Sequence, residues 1–259
     1  WGSDLLMHAR RSPWMRFATR CTLSKTDILL ADCQTVADEA VRYGFPPERI
    51  VQFPWGVDLT HFSPQNAQTA GRALRTELGW EEQFVILCNR SWYPIYGVDL
   101  LAKAFISAVQ KTPNLRLLLV GDGPQSLQIK RILEPVADFV HMFGWMDRAD
   151  LPSAYGAADL FITPSHCDGS SVSLLEALAC SCPVLASDIP SNQEWILPGQ
   201  TGDLFADGSL ESLIKKILVM ADDPHLARYG ERARRLAEQR ADWSKNILEL
   251  LHAYELAAA

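Results

Sequence analysis

The sequence predicts an α/β fold in which an open parallel sheet carries helices on both faces, with part of a second α/β unit ahead of it. Three observations carry this. From Phe84 to Ala186, short apolar runs alternate with helical patterns: Phe84–Cys88, Leu117–Val120, Val140–Phe143, Leu160–Ile162 and Pro183–Ala186. These runs are apolar at nearly every position rather than at alternate ones, as strands buried on both faces require. With 259 residues, 48% of them hydrophobic and 21% charged, the chain can bury a core of that kind.

Ahead of the sheet, residues 5–52 read as a helix bearing Arg10, Arg11, Arg16 and Arg20, a strand at Asp27–Leu30, a helix over Gln34–Arg42 and a strand at Arg49–Gln52. Gly44-Phe45-Pro46-Pro47 separates the last two. Phe53–Asp58, then Ser63-Pro64 and a polar stretch to Gly71, suggest a linker. Within the sheet region, Leu101, Ala104, Phe105 and Ala108 recur at helical spacing, and Gly121-Asp122-Gly123-Pro124 stops a strand with Pro124 suited to a helix's first turn. A helix is expected at Val172–Ala179. Everything after Ala186 reads as helical, with one apolar stripe through Leu210, Leu213, Ile214, Ile217 and Leu218 and another through Trp243, Ile247, Leu248, Leu251 and Tyr254. The expected organisation is a remnant of a preceding domain at 1–58, a linker at 59–72, the sheet domain at 73–240, and at 241–259 a helix packing back towards the N-terminal part. Trp1-Gly2-Ser3-Asp4 runs straight into a helical pattern and reads as a point inside a longer protein, while Ala257-Ala258-Ala259 reads either as a cloning remnant or as a fraying helix end.

A net charge of −7 argues against nucleic acid as a partner, because phosphate contacts need a basic surface. The six cysteines have irregular spacing and no C-x-x-C pair, so they read as reduced core thiols in a cytoplasmic setting. No run of 18 apolar residues exists, and scattered basic residues in the first apolar segment argue against a secretory signal. His8–Phe17 mixes cations with large apolar side chains. That composition reads first as an ordinary surface helix, with peripheral contact with the inner face of an anionic membrane as the alternative.

Ligands of an open parallel sheet sit at the carboxyl ends of its strands, here the loops after Cys88, Val120, Phe143, Thr163 and Ala186. The loop from Pro164 to Ser171 is polar and small. Asp168 lies in it, Ser171 can cap the following helix, and Glu176 projects from that helix. Backbone N–H groups at a helix start attract anions, and two carboxylates nearby suit a ligand anionic at one point and hydroxylated elsewhere. A capped helix with two solvated acids satisfies the same spacing.

Here the residues resemble a known family. Asp168, seven residues, Glu176, Ala177-Leu178-Ala179 and then Pro183-Val184-Leu185-Ala186-Ser187 are similar to the signature of glycosyltransferase family 4, retaining enzymes of the GT-B fold. Trp55-Gly56-Val57-Asp58 with Phe62-Ser63-Pro64, Val120-Gly121-Asp122-Gly123-Pro124, Phe143-Gly144, Ala158 to Ser165, and Glu194 ahead of Gly199, Thr201 and Gly202 match in the same order. The resemblance covers nearly the whole chain. It implies a Rossmann-like C-terminal half that binds a nucleotide-diphosphate sugar and passes the sugar to a hydroxyl of a glycan or lipid-linked acceptor, as in polysaccharide biosynthesis.

By the same resemblance Glu176 holds the ribose and Asp168 is the catalytic-side acid beside the donor sugar. The backbone of Gly169, Ser170, Ser171 and Val172 borders sugar and diphosphate, Arg90 pairs with the diphosphate, and Gly144 and Trp145 border the base. Two departures stand out: Asp168 replaces the family's Glu, and Tyr96 stands near the place of a Lys before Gly97, so a phosphate gains a hydroxyl but no charge there. Lys103, one turn into the following helix, reads as a solvated surface lysine in preference to a replacement cation. With no D-x-D in the chain, no metal and no cofactor is expected. Gly121-Asp122-Gly123 lacks the third glycine of a dinucleotide fingerprint, and the isolated histidines, His166 included, lack ligand spacing. The acceptor pocket and a donor-touching histidine belong to the family's N-terminal domain, so this chain alone is expected to bind nucleotide diphosphate weakly and turn over little. A non-catalytic sugar-nucleotide-binding module and a nucleotide-sugar epimerase on the same fold are the alternative readings.

Overall fold

The computed structural model describes residues 2–258; the expectations resting on Trp1 and Ala259 lie outside them. The N-terminal part comprises α1 (Gly2–Leu6), α2 (Pro13–Ser24), β1 (Leu29–Ala31), α3 (Gln34–Arg42) and β2 (Ile50–Gln52), with β1 and β2 paired in parallel. The single arginine-bearing helix expected here is broken. Ser12 caps α2 through its hydroxyl and Pro13 occupies the first turn, so a new helix starts where one was expected to continue. Trp14 and Phe17 point outward from α2, while Arg10, ahead of it, is tied to the buried Glu39 carboxylate.

The expected linker is also mostly helix. Ser63 and Pro64, read as chain-breakers, are the N-cap and first residue of α4 (Pro64–Leu78), and Gly79 closes it in the left-handed region. From there the chain builds β3 (Phe84–Cys88), α5 (Val98–Lys111), β4 (Leu115–Val120), α6 (Ser126–Leu133), β5 (Val140–Gly144), α7 (Leu151–Ala157), β6 (Leu160–Thr163), α8 (Val172–Ala179), β7 (Val184–Ser187), α9 (Pro190–Gln193) and β8 (Gly202–Phe205). Helices α10 (Leu210–Ala221), α11 (Leu226–Arg240) and α12 (Trp243–Ala258) follow. β8 corrects the expectation that everything after Ala186 is helical: a four-residue edge strand with only Leu204 and Phe205 as large apolar side chains gives too short a pattern to read.

The sheet has six parallel strands in the order β5-β4-β3-β6-β7-β8. Alternate residues of each strand enter two separate cores. Val85, Leu87, Leu118, Val120, Phe161, Val184 and Ala186 face one side with Phe62, Tyr155, Leu174 and Trp195. Ile86, Cys88, Leu117, Leu119, Leu160, Ile162 and Leu185 face the other, under Leu101, Phe105, Ile129, Leu213 and Ile217. Both faces are covered along the central strands, so nearly every position there is apolar. The expected α/β class and helix-covered parallel sheet are both present.

Two features fix the N-terminal part against the sheet. On α12, Asn246 Nδ2 donates to Pro54 O at 2.9 Å, and the Trp243 N–H donates to Val57 O at 3.2 Å. The Glu194 carboxylate, just after α9, accepts the N–H groups of Gln34 and Thr35, both at 2.9 Å, and the Thr35 hydroxyl at 2.7 Å. It therefore caps α3 from across the interface, because Cys33 at the N-cap makes no side-chain capping bond.

Helices α4 and α7 touch backbone to backbone: a Cβ on Gly156 would land on the Ala67 carbonyl, and one on Gly71 would land on the Gly156 peptide. Substituting Gly156→Ala should therefore cost about 1–3 kcal/mol, seen as a lower denaturant midpoint with unchanged m-value. An unchanged midpoint would mean the two helices have room to part.

Candidate functional site

The strand order reverses at β3 and β6: from β3 the chain moves to β4 on one side, and it later returns to place β6 on the other. The loops leaving these neighbouring strands diverge to opposite faces and leave a crevice between them. The loop after β3 carries Asn89, Arg90 and Tyr96, and the loop after β6 carries Asp168 to Ser171. His166 N–H donates to Ile95 O at 2.8 Å, which sews the two loops together.

Arg90 is the knot. Its Nη1 donates to Ser171 Oγ at 2.6 Å and to Ser173 Oγ at 2.9 Å, and its Nη2 donates to Asp168 Oδ2 at 2.5 Å. The guanidinium lies 4.3 Å over the Tyr96 ring. Tyr96 is thus a cation–π platform beneath Arg90. Among the described residues Arg90 Nε is a buried donor without a partner. The expected hydroxyl cap at the α8 start is corrected: Ser171 is the N-cap residue but makes no capping bond, because its Oγ accepts from Arg90 instead. Lys103 pairs with Asp99 on its own helix at 2.8 Å, so it does not take over the position that Tyr96 left uncharged.

A second polar chain lies behind the first. Asn89 Nδ2 donates to Tyr155 Oη at 2.7 Å, and that oxygen lies 2.8 Å from Glu176 Oε2 and 3.0 Å from Ser173 O. Arg90 and Glu176 are therefore joined through Ser173 and Tyr155 on one side of the sheet. Glu176 is only 6% exposed. Burial pushes its carboxyl up to about 7, against the downward pull of the Tyr155 hydroxyl, Arg148 and His61.

Arg90, Tyr96, Asp168, Gly169, Ser170, Ser171 and Val172 line one crevice of about 290 Å³ with Asn89 and Ser173. Gly144 and Trp145 are not brought into it. They end β5, two strands from β3, where Trp145 stands 75% exposed. His166 turns away to Asp207, with Nδ1 and Oδ1 2.6 Å apart.

Sequence reasoning missed Asp32, which lines the same crevice from the N-terminal part. Its Oδ2 accepts the Ser170 N–H at 3.2 Å, and its backbone carbonyl accepts the Ser170 hydroxyl at 2.7 Å. Trp195 Nε1 donates to the same Ser170 oxygen at 3.1 Å. A lone acid between a strand and a helix gives no pattern to find. Tyr155 and Asn89 were missed as well, since neither belongs to a recognisable spacing.

With this geometry in place, residues 82–223 match the family model described as glycosyl transferases group 1, more than half of the chain. The chain belongs to that family. It is 30% identical over 203 residues to a GDP-mannose-dependent monoacylated alpha-(1-6)-phosphatidylinositol monomannoside mannosyltransferase of Corynebacterium glutamicum, a match covering 75% of this chain and 52% of the relative. It is 31% identical over 256 residues to a D-inositol 3-phosphate glycosyltransferase of Gordonia bronchialis, covering 91% and 53%. The chain spans about half the length of these relatives. In fold it is similar to Anabaena Alr3699/HepE in complex with UDP, with a TM-score of 0.84, 22% identity, and coverage of 97% of this chain and 70% of that one. It is similar too to a sucrose-phosphate synthase from Thermosynechococcus elongatus, with a TM-score of 0.83, 24% identity and 98% and 64% coverage. These likenesses establish the GT-B type of fold for the glycosyltransferase family member described here.

The raised Glu176 carboxyl has a measurable consequence. Its folded value lies above the ordinary 4.5, so its contribution to stability is complete below about pH 4.5 and is lost as pH rises through about 7. Relative to wild type, Glu176→Gln should therefore gain about 3 kcal/mol between pH 4.5 and pH 8. Denaturant melts at both pH values check this, and parallel pH curves for the two proteins would refute the buried acid.

Proposed function

We propose that this chain forms the donor side of a retaining family 4 glycosyltransferase, which moves a sugar from a nucleotide diphosphate to an acceptor hydroxyl. One observation carries the reading: a largely buried guanidinium at the strand-order reversal, with Nε unpartnered among the described residues and its two terminal nitrogens bonded to two hydroxyls and one carboxylate. Such a group, next to the start of α8, suits a diphosphate. The leaving nucleotide's charge would be met by Arg90 and backbone N–H groups, with no metal and no cofactor required. Asp168 would release Arg90 as phosphate arrives and turn to the sugar. Glu176 would accept the ribose hydroxyls, and Gly144 and Trp145 would border the base.

Relatives named as mannosyl and inositol phosphate glycosyltransferases support the transferase reading over an epimerase or a silent binding module. HepE structures holding UDP and UDP-glucose support a nucleotide sugar as donor. Acceptor recognition would draw on the part of the relatives that this chain does not span, so donor binding without efficient transfer is the expected behaviour of the chain alone.

Calorimetric titration with UDP, GDP and ADP tests the reading. One of them should bind, and Glu176→Ala should weaken it by about 1.5–3 kcal/mol, the worth of a hydrogen bond to a charged group. Ribose hydroxyls favour the ionised carboxylate, so binding near pH 7 should release a proton and make the heat depend on the buffer; at pH 9 that dependence should vanish. No binding by any of the three would end the proposal. Arg90→Lys should also lose affinity, because an ammonium cannot hold Ser171, Ser173 and a phosphate at once as the guanidinium fork can; full affinity in that variant would place the diphosphate elsewhere.

A further inference from the structure

The crevice holds one guanidinium and two carboxylates. Arg90 neutralises Asp168 at 2.5 Å. Among the described residues no side-chain cation stands within ion-pair distance of Asp32, and its carboxylate meets the Ser170 N–H and the Cys33 thiol. Burial raises its carboxyl, and the Asp168 charge adds to that push. The carboxylate rests directly on the Gly169 backbone, where a Cβ would strike it. It therefore stands against the loop that lines the crevice from the other side.

A diphosphate in this crevice is repelled by an acid that no side-chain cation among the described residues neutralises. A neutral, hydroxyl-rich group gains from the same acid, since a carboxylate accepts hydrogen bonds from hydroxyls. We propose that Asp32 is a specificity residue that contacts the transferred sugar, favouring the sugar-bearing nucleotide over the bare nucleoside diphosphate left after transfer. This rests on the reading of the crevice as a nucleotide-sugar site, and it assigns the sugar to the side of the crevice supplied by the N-terminal part. The same charge would help expel the product.

The test compares two affinities in one variant. The wild-type chain and Asp32→Asn are titrated at pH 8 with UDP and UDP-glucose, and with GDP and GDP-mannose. Asparagine keeps the size and an acceptor for the Ser170 N–H. The variant should bind the diphosphate about threefold to tenfold more tightly, through lost repulsion, and the sugar nucleotide about tenfold less tightly, through a lost charged hydrogen bond. Opposite signs are the signature. A role confined to holding the 168–171 loop would move both affinities the same way, and that result, or no change in either, would overturn the inference. Asp32→Ser serves as a second variant should Asp32→Asn melt early, with the same opposite signs expected. If the wild-type chain binds none of these nucleotides, the nucleotide-sugar reading itself fails. If it binds diphosphate and sugar nucleotide equally, only the role of Asp32 falls.

Discussion

The site depends on one largely buried cation held between two loops. Arg90 leaves the end of β3 and is met by Asp168, Ser171 and Ser173 from beyond β6, so its guanidinium bridges the gap where the strand order reverses. A cation in that place is expensive unless it is paired and hydrogen-bonded. Pairing on three sides, with the Tyr96 ring beneath, meets that cost. The Nε left bare is where the arrangement stays incomplete.

Around this knot the polar groups fall into layers. Nearest the crevice lie the small residues of the 168–171 loop. Behind them, Asn89 and Tyr155 reach Glu176, a carboxyl held so far from water that it is half neutral near pH 7. From the far side Asp32 and Ser170 tie the N-terminal part to the same loop, and Glu194, just after α9, holds α3 of that part. The crevice is thus shared by two parts of the chain, and neither can shift without disturbing its lining.

Most of the sheet was legible from sequence because its strands are buried on both faces and interrupted by Gly-, Pro- and Ser-rich loops. Helix bounds at Gln34–Arg42 and Val172–Ala179 could be read to the residue. The failures have one physical origin. Ser12-Pro13 reads as the interior of one helix and Ser63-Pro64 as part of a linker, yet Ser followed by Pro is also the preferred start of a helix, and only packing decides between these. β8 escaped because an edge strand has one pairing neighbour and needs no apolar run. In the site, Arg90, Asp168 and Glu176 were visible because they sit at fixed places in the order of motifs. Asp32, Asn89 and Tyr155 were not, since their neighbours are distant in sequence: Asp32 meets Ser170 across 138 positions. The Ser171 hydroxyl was assigned to the helix cap because a competing guanidinium 81 residues away leaves no local trace.

The most direct measurement is a crystal structure of the chain with UDP or GDP bound. The expected density places a phosphate oxygen at about 2.8 Å from the Arg90 guanidinium, with the ribose hydroxyls on Glu176 and the Asp168 carboxylate drawn away from its cation. A nucleotide seated outside the β3 and β6 loops, with Arg90 still paired to Asp168 and its Nε still bare, would contradict it.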